Sequence, residues 1–247
     1  RDWLGLGPGP VTDIISILDF QLGTRVYVRR LPSKIAGLFA YDERAGACIL
    51  LNASHPHERL TQSGAHETAH FVSTRRQPEV LTEDERFASR EERYANIFQR
   101  CFLTPGREVR QRFAEITAGQ SHLTRRHVIL LAHAFGISRE AMVRRLEELG
   151  RARRGTWDWF VSYGGISDKD VTQVLGELPE RPSYKGLSRG LVPPRLALLA
   201  REAWKKELYS EGQLARMLQL DLHGIREVLD GAEREESEAD ELVRIPR

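Results

Sequence analysis

Gly64-Ala65-His66-Glu67-Thr68-Ala69-His70-Phe71 holds the residues best suited to chemistry in this chain. Helical spacing puts His66 and His70 one turn apart on a single face, so both imidazoles can reach one zinc ion at about 2.0–2.1 Å. Glu67 stands beside such an ion, where its carboxylate can take a proton from an activated water. Leu60, Ala65, Ala69 and Val72 give the segment an apolar side to bury. The competing reading of this short motif is a surface helix with two solvated histidines.

A third ligand decides between the two readings. Glu91 to Leu103 carries Tyr94, Ala95, Phe98, Cys101 and Phe102 at helical spacing, and Pro105 marks the stop. A second helix can therefore pack beside the first and present Glu92. Two imidazoles and one carboxylate leave a fourth position for water, the mark of a catalytic rather than a structural zinc. Asn96, four residues on and on the same face, could orient one of the imidazoles. Glu92 also lies in an acidic run with Glu83, Asp84, Glu85 and Glu91, which suits a plain solvated charge equally well.

The stretch from Gly37 to Pro105 resembles the ImmA/IrrE zinc metallopeptidases. His66-Glu67-Thr68-Ala69-His70 is similar to their His-Glu-Leu-Gly-His helix. Glu92-Arg93-Tyr94-Ala95-Asn96-Ile97-Phe98, with Leu103-Thr104-Pro105 after it, is similar to the helix that follows. Ala69 stands where the pattern has Gly, and Gln99 and Arg100 stand where it has small residues. The resemblance implies a zinc cofactor held by His66, His70 and Glu92, with Glu67 as general base. It implies a protein substrate, a helix-turn-helix transcriptional repressor whose cleavage releases stress-response or mobile-element genes. It also implies a common arrangement with a DNA-binding domain upstream, and the start at Arg1 rather than Met fits a chain trimmed from such a regulator.

Several elements must position these residues. Val11 to Leu22 predicts a helix with Ile14, Ile15, Leu18 and Leu22 inward, a cap at Thr12 or Asp13, and an end at Gly23. Arg25 to Arg29 alternates as a strand, and Ile35–Tyr41 with Ala47–Asn52 reads as a hairpin. Such a hairpin is either plain scaffold or an edge on which an extended substrate adds a strand. His55 and His57 read as solvated loop residues. The charged stretch from Leu81 to Arg93 is helix-permissive and could form a flap over the site. Arg107 to Ala118 predicts a further amphipathic helix.

Ser121 to Gly150 reads as a helix-turn-helix. Leu131, Ala132 and Phe135 face inward, Gly136 makes the turn, Ser138 caps, and Met142, Val143 and Leu146 pack back. Arg139, Arg144 and Arg145 could approach a DNA groove, with Arg125, Arg126, Arg151, Arg153 and Arg154 on phosphates. Glu140, Glu147 and Glu148 on the same helix oppose that use, leaving a helical brace as the other reading. Trp157 to Phe160 reads as core and Pro179 to Pro194 as a linker. Leu196 to Leu229 adds helices with a second, weaker helix-turn-helix rhythm, and Glu233 to Glu241 forms an acidic tail.

The expected fold is α+β, mostly α. Residues 1–118 form a zinc metallopeptidase domain with a small sheet, 119–155 a helix-turn-helix-like module and 156–247 a helical C-terminal region. A formal net charge of +2 makes no global case for nucleic acid. Cys48 and Cys101 form no paired motif, which argues against a thiolate metal site and for two small core residues. No apolar run is long enough to span a membrane and no signal peptide opens the chain, so a cytoplasmic location is expected. Candidate donors to the oxyanion of peptide hydrolysis are His122, His127, Tyr94 or an arginine. The alternative to a peptidase is a DNA-binding regulator that keeps the fold for sensing.

Overall fold

The computed structural model describes residues 1–73, 79–82, 89–118, 120, 122–177 and 192–239, the side chains of 79–82 and 231–239 excepted. Helix α1 opens at Ile14–Ser16 and widens into a π-helical turn at Ile17–Gln21. Asp13, one of the two expected caps, accepts from the Ser16 amide at 3.0 Å, so the helix begins just after it rather than at Val11. The wider turn buries Ile17 and Leu18 together and carries Asp19 inward with them.

Strands β1 (Arg25–Arg29), β2 (Ile35–Asp42) and β3 (Gly46–Asn52) follow as expected, β2 and β3 as an antiparallel hairpin and β1 parallel to β3. Alternation puts Val26, Val28, Ala47, Ile49 and Leu51 on the buried face. Helix α2 (His57–Ser73) carries the His-Glu-x-x-His segment. After it comes β4 (Glu79–Thr82), which pairs antiparallel with β2 and gives a four-stranded sheet of order β1-β3-β2-β4. Leu81 was expected in a helical or flap-like stretch. It lies instead in this strand, whose partner is too distant in sequence for local propensity to reveal. The remainder of the expected flap, residues 83–88, lies outside the described residues.

Helix α3 (Arg90–Leu103) is capped by Ser89 and ends at Thr104. Helices α4 (Gly106–Ile116), α5 (Arg125–Phe135) and α6 (Arg139–Glu148) complete the main body. The helix-turn-helix has the predicted turn: Gly136 is left-handed at φ 64°, and Ser138 accepts from the Ala141 amide. Leu131, Ala132, Phe135, Met142 and Leu146 share one core with Ile14, Val26, Leu51, Leu60 and Phe102. The pair α5/α6 is thus packed into the body that carries the His-Glu-x-x-His helix, and the core reaches across residue 118.

Helices α7 (Thr156–Ser162) and α8 (Asp168–Leu175) cover Val128, Ile129 and Val143 with Phe160 and Ile166. In the expected aromatic core cluster, Phe160 is buried but Trp159 is half exposed and packs at a tilt against Tyr163. Helices α9 (Pro194–Lys205), α10 (Glu211–Leu218) and α11 (Leu222–Ala239) enclose a smaller core of Ala200, Leu214, Leu218, Ile225 and Leu229. Asp19 reaches this unit, accepting from the Arg195 amide at 2.6 Å at the start of α9. Most of the expected Pro179–Pro194 linker (residues 179–191) and the end of the acidic tail lie outside the described residues. Among the described residues no helix is long and apolar enough to cross a membrane.

Candidate metal centre

Helix α2 is unusual in how many polar side chains it buries. Thr68 and Ser63 are satisfied within the helix, each hydroxyl donating to the carbonyl four residues back, Thr68 to Gly64 at 2.7 Å and Ser63 to Arg59 at 2.9 Å. His66, Glu67 and His70 are each only 1% exposed, so the segment is no surface helix with solvated histidines. Leu60, Ala65 and Ala69 bury as predicted. Val72 does not: one residue from the end of α2, it is 54% exposed.

Helix α3 lies alongside α2 and delivers Glu92 from its first turn. One Glu92 oxygen stands 3.1 Å from His66 Nε2 and the other 3.3 Å from His70 Nε2, while the two Nε2 atoms are 3.1 Å apart. Two ligands at about 2.0–2.1 Å from one tetrahedral ion stand about 3.3 Å from each other, so the spacing fits a single metal ion. The donor set of two imidazoles and a carboxylate fits equally well, and all three donor atoms lie within 4.8 Å of one another. Glu92 is 22% exposed, so the cluster borders solvent on the α3 side.

Phe39 on β2 stacks on His70 with ring centroids 6.4 Å apart, which fixes that imidazole from the sheet side. Asn96 is half-buried on α3, and His66 Nδ1 is buried without a hydrogen-bond partner. For the His66 ring, the expected amide is therefore not the partner.

The end of α3 is held by arginine. Arg145 on α6 donates from Nε and Nη2 to the Thr104 carbonyl at 3.2 and 3.0 Å, and Arg1 donates to the Phe102 carbonyl at 2.6 Å. Both guanidinium groups sit where a helix C-terminus attracts positive charge. Arg145 is 8% exposed and also pairs with Glu148 at 2.7 Å. That corrects its expected place near a DNA groove: it faces inward because it follows Met142 by three residues on the buried side of α6.

The other two arginines proposed for DNA are also occupied. Arg139 pairs with Asp168 of α8 at 2.9 Å, and Arg144 with Asp158 of α7 at 2.9 Å. The hydrogen bond to Asp158 raises the Arg144 guanidinium further above its ordinary range, and Glu140 and Glu147 stand within ion-pair range as well. Arg125 donates to the Gly165 carbonyl at 2.8 Å. These contacts support the brace reading of the helix-turn-helix.

Other expectations are corrected in the same way. His55 is buried, its Nε2 donating to the Ser33 carbonyl at 3.1 Å, and is no solvated loop residue. Cys101 is exposed and Cys48 half-buried, where burial pushes its thiol up. Tyr94 is 44% exposed and rests against Phe98. His127 caps α5, with Nδ1 accepting from the Thr124 amide, so of the oxyanion candidates it is already engaged. Strand β2 is flanked by β3 and β4, so its backbone edge is not open to a substrate strand; the edge on that side of the sheet belongs to β4.

Two features of the site escaped the sequence reading. Gly37 of β2 lies directly against the Glu67 carboxylate. Asn52, buried at the end of β3, donates to the Ile35 carbonyl at 2.7 Å and accepts from the Leu31 amide at 3.2 Å, fixing the entry into β2. A glycine in mid-strand was the one available signal.

The comparison with curated proteins finds no match. A family model does match: Peptidase M78, described as the IrrE N-terminal-like domain, covers residues 21–147. That span runs from the end of α1 to near the end of α6.

Proposed function

Since the chain belongs to the Peptidase M78 family, the IrrE N-terminal-like domain, we propose that it is a zinc-dependent endopeptidase that cuts a helix-turn-helix transcriptional repressor. The family supports a metallopeptidase-type function. The single observation that carries the finer reading is the convergence of His66, His70 and Glu92, from two helices, beside the buried Glu67. His66, His70 and Glu92 would hold a zinc ion, which would supply Lewis acidity toward a peptide carbonyl and bring the pKa of a water to about 7.

The protein's own groups carry the proton traffic. Glu67 accepts the proton of the attacking water and returns it to the leaving amine. The two imidazoles and Glu92 would hold the metal, and Phe39 keeps His70 in register. Burial of Glu67 keeps competing water off its carboxylate. The repressor substrate follows from the resemblance of His66–His70 and Glu92–Pro105 to the ImmA/IrrE peptidases. A cytoplasmic location accompanies that substrate.

The test is incubation of the zinc-loaded chain with the helix-turn-helix repressor encoded beside its gene. A discrete cut that a chelator abolishes and zinc restores supports the reading. An intact repressor after prolonged incubation with zinc-loaded protein overturns the substrate assignment.

A further inference from the structure

We propose that Gly37 is a positioning residue for Glu67: the missing side chain on β2 leaves the space that the carboxylate occupies beside the metal-binding cluster. The inference rests on the peptidase reading and deepens it.

A Cβ built at residue 37 would meet Glu67 Oε1 at 2.7 Å and lie 3.4 Å from Glu67 Cγ and Cδ. The first distance is well inside van der Waals contact, so the methyl and the carboxylate cannot both keep their places. Glu67 is 1% exposed, and a carboxylate that deep cannot swing away without disturbing its neighbours.

The glycine is there for space and not for backbone freedom. Gly37 does not have a positive φ, and it keeps strand pairing with Leu51 on β3 and Leu81 on β4. Any residue could adopt that backbone, while a glycine in mid-strand costs conformational entropy and side-chain packing. The cost is understandable if something must come close, and the group that comes close is the general base.

The neighbours of Gly37 fit this role. Residues 37 and 39 share one face of β2. Phe39 places a ring against His70, and Gly37 places bare backbone against Glu67, so one strand face addresses two functional residues of α2. Asn52 holds the Ile35 carbonyl and also donates to the Pro32 carbonyl at 3.2 Å, which keeps the strand from backing away.

The test is a double-substitution cycle on the zinc-loaded chain, using Gly37→Ala, Glu67→Ala and the two together. Gly37→Ala alone should lower Tm by about 2–4 °C or more, as mild overpacking does in a chain of this size. With Glu67→Ala the obstructing carboxylate is gone, and the same glycine replacement should shift Tm by less than about 1 °C. If Gly37→Ala alone does not fold, a folded double variant supports the proposal and an unfolded one overturns it. Equal losses of Tm in both backgrounds also overturn it.

On repressor cleavage, Gly37→Ala should lower kcat about 100-fold, the scale of a misplaced catalytic group, with KM and zinc affinity within about twofold. A wild-type kcat for that variant overturns the proposal. Absence of cleavage by the parent chain overturns the substrate assignment instead, and the thermal cycle still decides the placement of Glu67.

Discussion

The α2/α3 pair and the α5/α6 pair both carry recognisable motifs, but they treat their charged residues in opposite ways. In α2/α3 the polar groups of three residues converge on one point, with spacings of 3.1 to 3.3 Å that suit a shared ion. In α5/α6 the arginines diverge, and each of the three nominated for DNA meets an acid or a carbonyl of this chain. A functional site gathers groups whose mutual contact makes sense only with a further partner. A brace spends its groups on contacts that are complete as they stand. A motif alone does not separate the two cases; the company its side chains keep does.

The largest expected difference between the regions is in metal binding. His66→Ala or Glu92→Ala should weaken zinc affinity by at least about 100-fold, since even supporting residues around a metal cost 10- to 100-fold. Arg139→Ala and Arg144→Ala should leave zinc affinity unchanged, as read by competition with a chromogenic chelator. Equal affinity for zinc in Glu92→Ala would remove α3 from the site.

Stability should show what the two regions share. Leu131→Ala on α5 opens a cavity in the core common to both, at a cost of about 2–5 kcal/mol, read by urea unfolding. A single transition for the variant and the parent is expected between residues 1 and 148. A separate early transition for α5/α6 alone would divide the regions that the common core joins.

Smaller effects sharpen the brace reading. The Arg139–Asp168 and Arg144–Asp158 pairs are largely exposed, so replacing either arginine by Ala should cost about 0.2–1 kcal/mol. Affinity for duplex DNA should stay within about twofold in these variants across a salt series. A steep salt dependence lost with Arg144 would return the module to nucleic acid. The smallest effect is chemical: Cys101 is exposed and should alkylate first at neutral pH, while Cys48, half-buried with its thiol pushed up, should lag.

Much of this contrast was legible in the sequence, and the parts that were not share a cause. His66, Glu67 and His70 declare themselves because helical spacing alone fixes their relation. Gly136 and Ser138 do so because turn and cap chemistry is local. Glu92 needed the second helix and its family pattern, since sequence distance says nothing about convergence. Strand β4 was missed because its pairing with β2 joins residues some forty positions apart in a polar stretch. Val72 and Cys101 sit at apolar phases of their helices, yet exposure depends on what each helix meets. Arg145 was misread by type: the residue looks solvated, but its phase beside Met142 and Leu146 puts it inside. Gly37 shows the reverse case, where an absent side chain carries the information.

The central claim is that Glu67 performs chemistry at a metal held by His66, His70 and Glu92. The most direct measurement is the single-turnover rate of repressor cleavage by zinc-loaded Glu67→Gln against the parent chain, with bound zinc determined in both samples. One zinc per chain in each, with cleavage reduced by at least about 100-fold in the variant, is the predicted result. Cleavage at the parent rate by Glu67→Gln, with its zinc in place, would contradict the account.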